Sequence, residues 1–419
     1  MNRSKMAFSG WKVLALCFLS QNLAMGCAFG SFGPLLSSNE QFFGITRAAA
    51  SAGLSCVLLA TAFFSPLIGN LLPRISIKSA MIAGALLSAL GYWGLALFPS
   101  FSIALVMYGV IGVGICTNAV LCPLLLVNRW FVSDKAKALS VVNLPMGLLV
   151  VPFVVGHTLP DVGRFTVLGV LGTIPLAFIP FILFMPEDPA HVGQLAHGAT
   201  GSPNPVATAA GSADGESSTI HDILSKPAFW FFSLGMGIMQ GAGGAFYAHF
   251  VGFGAERGVP LATASTILSL ASVTGLFGTP LLGWIIDRIG PPTTLIFTAL
   301  IQALMWLGML YIASSLLFMP VGVLGVFLLP MNVLQGALIS IMFPPNSTSR
   351  ALGISYGLQL PFQFSLVPLA GLIFDKMDGY FYVFLIISAL LGMASLSFVF
   401  MTSMMGGRTQ SFKLRGNLH

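Results

Sequence analysis

The stretch Thr279-Pro-Leu-Leu-Gly-Trp-Ile-Ile-Asp-Arg-Ile289 repeats, 214 residues further on, the stretch Ser65-Pro-Leu-Ile-Gly-Asn-Leu-Leu-Pro-Arg-Ile75. The same offset lays Ala262-Thr-Ala-Ser265 on Ala48-Ala-Ala-Ser51. Proline, glycine and arginine keep their register, which a chance likeness of apolar composition does not require. Each copy closes a long apolar run and enters the loop after it. The chain is therefore expected to fold as two related halves.

Working outward from the repeat, the chain consists mostly of such runs. It is 56% hydrophobic and only 7% charged, with a mean hydropathy of +0.92, whereas a soluble domain carries roughly 25% charged residues. So few charges cannot cover a surface against water, and lipid is the expected solvent. Twelve runs reach the length of about 20 residues that a bilayer requires: 11–33, 48–70, 79–98, 101–127, 138–159, 165–185, 228–252, 261–286, 292–314, 316–343, 351–374 and 380–402. They are too long and too uniformly apolar for barrel strands, so each is read as a helix that satisfies its own backbone. The first is also too long for the apolar core of a cleavable signal peptide.

Between the sixth and seventh runs the chain turns polar. Residues 186–226, with their Gly-Ala-Thr-Gly-Ser-Pro-Asn-Pro passage, read as a flexible linker that divides the spans six and six. The expected fold is an all-α membrane protein of twelve transmembrane helices in two pseudo-symmetric six-helix bundles. Residues 1–185 form the first bundle and 227–403 the second, with a cytoplasmic linker at 186–226 and a cytoplasmic tail at 404–419. Lysine and arginine set the orientation. With the N-terminus inside, fourteen of the 18 basic residues fall in inner segments, and only Arg47, Arg164, Arg257 and Lys376 fall outside. The positive-inside rule thus places both termini in the cytoplasm of an inner (plasma) membrane protein. The same rule accounts for the net charge of +6, and no nucleic-acid partner is expected. Cys17, Cys27, Cys56, Cys116 and Cys122 all lie in apolar runs and read as small apolar residues, not a metal site or disulfide framework.

At the repeated loop the sequence resembles the major facilitator superfamily. Gly283-Trp-Ile-Ile-Asp287-Arg288-Ile-Gly290 matches that family's G-x-x-x-D-R/K-x-G motif, while the first-half copy has Pro73 where the aspartate belongs and keeps Arg74. The resemblance implies gating by Arg74, Asp287 and Arg288, which tie helix ends together in one state and release them in the other. It also implies rocker-switch alternating access around a solute site near the midplane between the halves. Within the superfamily the chain is similar to the monocarboxylate-porter and oxalate/formate-antiporter group. Gly10-Trp11, Gly30-Ser-Phe-Gly33, Thr46-Arg47-Ala48, Arg129-Trp-Phe131 and Lys135-Ala-Lys-Ala-Leu139 carry that likeness. The group's solute-binding charges are missing. Thr279 stands where an arginine often precedes the helix-8 proline, Gly275 where its acidic partner would fall, and Phe29 or Gly30 where helix 1 would carry a basic residue.

No Lys, Arg, Asp or Glu lies within a span core, so a buried carboxylate proton relay is not expected. Amides take their place. Gln21, Asn22, Asn118, Asn143, Gln240, Asn332, Gln335, Tyr356, Gln359 and Gln363 lie near mid-span, and the spacings within 332–335 and 356–363 put each set on a helix face. They are candidate solute contacts, against the alternative of hydrogen bonding between helices. Phe29, Ser31 and Tyr247 could add an aromatic wall and polar contacts. His249 is the candidate for proton coupling or anion binding, against a histidine simply bonded to helix 1 or an outer loop.

The expected function is secondary active or facilitative transport of a small organic solute, either an organic anion of monocarboxylate type or a neutral polar compound. Efflux of amphipathic compounds and a non-transporting receptor on the same scaffold are the alternatives. An intramembrane enzyme would need a metal motif or a catalytic pair in a span, and none is present. No cofactor is expected, the partners are the solute and the lipid bilayer, and a monomer is the expected state.

Overall fold

The computed structural model describes residues 8–198 and 219–405. The central part of the linker and most of the tail, with Arg408, Lys413 and Arg415, lie outside the described residues. The chain divides into two compact units, the first comprising Met1–Gly44 and Ala52–Thr208, the second Ile45–Ser51 and Ala209–His419.

The first unit begins with α1 (Gly10–Met25), which passes through a π-turn at Gly26–Gly30 into α2 (Phe32–Phe43). This first span runs ten residues past the end of its apolar run, because the polar Ser37–Gln41 segment continues the helix until Gly44 ends it with φ +62°. Next come α3 (Arg47–Leu71) and α4 (Ile77–Leu97). Helix α5 (Phe101–Ile115) passes through a second π-turn at Cys116–Leu121 into α6 (Cys122–Trp130). Helices α7 (Lys135–Val142) and α8 (Met146–Phe184) complete the unit. Helix α8 holds two spans, since Gly163, with φ +76°, turns the chain back between them. Helix α4 packs on α5 and α8.

The second unit contains the short α9 (Ile220–Leu224), then α10 (Pro227–Glu256), α11 (Leu261–Ile289), α12 (Pro291–Tyr311), α13 (Phe318–Leu328), α14 (Met331–Met342), α15 (Pro345–Met377) and α16 (Phe381–Met404). Helix α10 packs on α15 and α16, and α12 on α16. Ten helical stretches are long and apolar enough to cross a bilayer. Dividing the longest at Gly163 and adding α10, which has no Asp, Glu, Lys or Arg before Glu256, brings the spans among the described residues to twelve. Side chains such as Phe63, Phe184 and Phe277 stand exposed on the helices. Lipid rather than water explains them.

The repeat is visible in the helices. Pro66 and Pro280 both lie inside the second long helix of their half, and α4 and α12 begin and end 214 residues apart. The copies part company at the motif's fifth position. Pro73 ends α3 in a 3₁₀ turn at Leu72–Arg74, whereas Asp287 and Arg288 continue as helix to Ile289.

The described start of the linker is docked rather than loose. Glu187 accepts the backbone N–H groups of Ile77 (3.1 Å) and Lys78 (3.2 Å), capping α4. The His197 backbone N–H donates to Trp130 (2.8 Å), and its carbonyl accepts from Val132 (2.9 Å). Its ring lies 3.4 Å from Asp134, whose carboxyl the Lys137 ammonium at 2.9 Å holds below its ordinary range.

Candidate functional site

In the first unit the candidate amides gather where α7 gives way to α8. Pro145 has no N–H to continue a helix, so the chain breaks at Asn143–Pro145 and the backbone groups there need other partners. Asn22 supplies one. Its Oδ1 accepts the Gly147 N–H at 2.8 Å while its Nδ2 donates to Phe18 O (2.9 Å) and Val142 O (3.4 Å). Gly26 and Gly147 permit the approach, since a Cβ on Gly26 would lie 2.7 Å from the Gly147 backbone. Asn22 is thus fully engaged and buried. Gln21 beside it is accessible, and its Nε2 donates to Asn143 Oδ1 at 2.6 Å.

Asn118 belongs to the π-turn of the fourth span. With its amide oriented to suit its neighbours, it donates to Met81 O (3.1 Å) and accepts from Ala85 N (3.0 Å), while its backbone carbonyl accepts from Ser20 Oγ (2.8 Å). It joins three spans and is 6% exposed. Ser31 is likewise buried and donates to Cys27 O at 2.5 Å. Phe29 is half-buried.

In the second unit Asn332 occupies the corresponding place. Helix α13 stops short of Pro330, α14 begins after it, and Asn332 in the first turn of α14 is exposed. Gln240 Nε2 and Tyr356 Oη both approach Asn332 Oδ1 at 3.5 Å. Gln335 is fully buried, and neither end of its amide meets a partner. Gln359 is also fully buried, its Nε2 donating to Ser355 Oγ (2.7 Å), which lies 3.2 Å from Ser233 Oγ. This polar ladder runs between α10 and α15, so Gln359 lies in helix packing, apart from the accessible Tyr356 and half-buried Gln363. Tyr247 is 5% exposed.

The packing also bears on two of the missing charges. A Cβ at Gly275 would overlap the Leu329 side chain, and one at Gly30 would lie 3.0 Å from Pro152 Cδ. An ionised side chain at either position would have to displace these neighbours. Thr279 is exposed.

His249 is enclosed at the far end of α10. Its Nε2 lies 2.9 Å from Val367 O, which can only accept, so Nε2 carries the proton and Nδ1 accepts from Tyr380 Oη at 3.2 Å. Tyr380 Oη in turn accepts from Arg47 Nη1 (3.0 Å), and its backbone N–H donates to Glu256 (2.8 Å). Asp375 accepts the N–H groups of Arg47 (3.1 Å) and Ala48 (2.8 Å), the first turn of α3. The Arg47 guanidinium lies 4.2 Å from the centre of the Phe374 ring. Charge alone assigns Arg47, Glu256 and Asp375 to loops in the sequence, and nothing in their spacing joins them. Of the gating candidates, Arg74 and Asp287 are exposed, and Arg288 stacks on Trp284 one turn back at 4.2 Å.

A sequence model of the Major Facilitator Superfamily matches residues 18–360. YwtG of Bacillus subtilis (strain 168), whose name assigns it provisionally to metabolite transport, is 29% identical over 140 residues. That match spans 32% of this chain and 30% of the relative, about a third of each. Among solved structures, a point mutant of the nucleoside transporter NupG superposes with a TM-score of 0.73 at 14% identity, covering 94% of this chain and 99% of the other. The peptide transporter POT in complex with sulfate gives 0.70 at 13% identity, covering 94% and 95%. Fold and family together define a multi-pass membrane transporter and not an enzyme. The chain belongs to the Major Facilitator Superfamily.

Proposed function

We propose that the protein carries a small neutral, hydrogen-bonding solute by rocker-switch alternating access. The observation that carries this reading is the chemistry of the accessible mid-span groups, Gln21 with Asn143 and Gln240 with Asn332 and Tyr356, all uncharged. The residues themselves support it, because Thr279 places a neutral side chain where the resembling group often has an arginine, and a basic residue at Gly30 would have to displace Pro152. The names of YwtG and of the structural neighbours agree on transport and differ on solute. Both termini are assigned to the cytoplasm by the distribution of basic residues, in an inner membrane.

The test is flux into proteoliposomes with paired solutes, each organic acid beside its neutral amide. Saturable uptake of neutral members is expected, and uptake of the acids alone would sink the proposal. Asn332→Leu and Gln21→Leu are expected to raise the apparent KM about tenfold, the loss of one or two net hydrogen bonds, with expression retained. Gln335→Leu removes an amide that is buried without a partner, so it is expected to raise the melting temperature; loss of uptake in that more stable variant would mark Gln335 as a solute contact.

His249 has a positioning part in this reading, since both ring nitrogens are bonded within the second unit. His249→Gln is expected to leave the pH profile of uptake unchanged. A flattened profile at wild-type expression would restore the proton-coupling role and make the protein a symporter.

A further inference from the structure

The third spans of the two halves keep the 214-residue offset along their whole length, from Ile77–Leu97 in α4 to Pro291–Tyr311 in α12. Gly84 and Ser88 of α4 therefore correspond to Thr298 and Gln302 of α12. The same offset joins Asn118 to Asn332, each at the irregular turn of the fourth span of its half. These two asparagines differ in their surroundings. Asn118 is 6% exposed and sits against α4, bonded to Met81 O and Ala85 N. Asn332 is exposed, with Gln240 and Tyr356 beside its amide oxygen.

In the first unit, small residues on α4 make the seat for Asn118. A Cβ on Gly84 would lie 3.0 Å from the Asn118 amide, and one on Gly114 would overlap Ser88 Oγ. In the second unit the same two places of the third span carry larger side chains. Thr298 is fully buried and brings a branched side chain where Gly84 has none. Its hydroxyl meets no hydrogen-bond partner, so its contribution is bulk. Gln302 is also fully buried, and its Nε2 donates to Phe327 O at 3.0 Å and lies 3.4 Å from Met331 Sδ. Phe327 belongs to the last turn of α13, whose carbonyls have no donor within the helix. Met331 opens α14 immediately before Asn332. The amide that ties the third span to the fourth thus comes from the fourth span in one half and from the third in the other.

We propose that Thr298 and Gln302 are positioning residues for Asn332. Thr298 fills the seat that Asn118 takes in the other half, Gln302 holds the break at Leu329–Pro330, and the Asn332 amide is kept on the open face of α14. The consequence for uptake rests on the reading of Asn332 as a solute contact; the placement does not. Thr298→Gly with Gln302→Ser rebuilds the seat of the first unit. The thiol of Asn332→Cys, followed by mass spectrometry as the purified, intact protein reacts with N-ethylmaleimide, is expected to react several-fold more slowly in that background. An unchanged or faster rate would overturn the proposal. Thr298→Gly alone is expected to slow the reaction in the same direction and carries the test if the paired change does not fold, while Thr298→Val, which keeps the bulk, is expected to label like the parent. Slowing in Thr298→Val as large as in Thr298→Gly would also count against it. With Asn332 in place, the paired change is expected to raise the apparent KM for neutral solutes about tenfold at unchanged kcat, as loss of the Asn332 contact would, and adding Asn332→Leu is expected to raise it no further. Effects on KM that multiply would show Thr298 and Gln302 acting apart from Asn332 and sink the proposal. Slower labelling beside an unchanged KM would support the placement and remove Asn332 from the solute contacts.

Discussion

Gly147→Ala is expected to destabilise the protein by about 3 kcal/mol, at the upper end for an overpacked site, and to remove most folded material from a size-exclusion profile in detergent. The added methyl would overlap the backbone carbonyl oxygen of Asn22, which no rotamer change can move. The helices would have to part, and parting them breaks the 2.8 Å bond from Gly147 N to Asn22 Oδ1. That part-buried bond serves a chain break, so its loss leaves a backbone N–H and the Asn22 amide oxygen short of a partner. Gly109→Ala is the control. Nothing lies within 4 Å of a Cβ there, and a glycine-to-alanine change within a helix gains roughly 0.5–1 kcal/mol. Equal stability of the two variants would show that the first and fifth spans do not rely on this backbone contact.

Asp375→Ala is expected to have the second largest effect, a loss of about 1–2 kcal/mol, the range for removing a helix cap. Asp375 provides for the first turn of α3 what an N-cap residue ordinarily provides from within the same helix. It accepts two N–H groups and places negative charge at the positive end of the helix dipole. Hydrogen exchange gives the sharper readout. The amides of Arg47 and Ala48 are expected to lose protection in Asp375→Ala, and Asp375→Asn, which keeps one acceptor, to fall between. Unchanged protection at both amides would show that the carboxylate contributes nothing to holding this turn.

Much of the fold is legible in the sequence, because lipid leaves a chain few choices. A run such as 79–98 has no way to satisfy its backbone in a bilayer except as a helix, and its observed bounds, Ile77–Leu97, differ by two residues or fewer. The Gly163 turn and the extension of the first span through α2 are less visible, since a glycine's positive φ and a polar helix end leave little mark on hydropathy.

The site is legible only as a set of residue types. Tyr356, Gln359 and Gln363 lie close together on the wheel of their own helix, yet Gln359 is buried and Tyr356 is exposed. The difference comes from α10, where Gly237 lets a backbone approach so closely that its Cβ would lie 3.2 Å from Gln359 Cα. Which face of α15 is wet is therefore decided by glycines in another helix. The relay from Arg47 through Tyr380 to His249 joins residues more than 130 positions apart at its shorter step, and no local spacing encodes it.

The two π-turns change how the neighbouring sequence must be counted. A five-residue reach in place of four accommodates one residue beyond the α-helical tally, and one residue amounts to about 100° of rotation. Gln21 and Ser31 lie on opposite sides of such a turn, as do Ile111 and Leu126 in the fourth span. A helical wheel drawn through either span from end to end is therefore out of phase by roughly a quarter-turn past the bulge. A chain shortened by one residue at Gly26–Gly30 would run as plain α-helix with both flanking faces still aimed where they are now. The turn can thus be understood as a tolerated insertion, and the two spans that carry one as places where length and orientation have become independent.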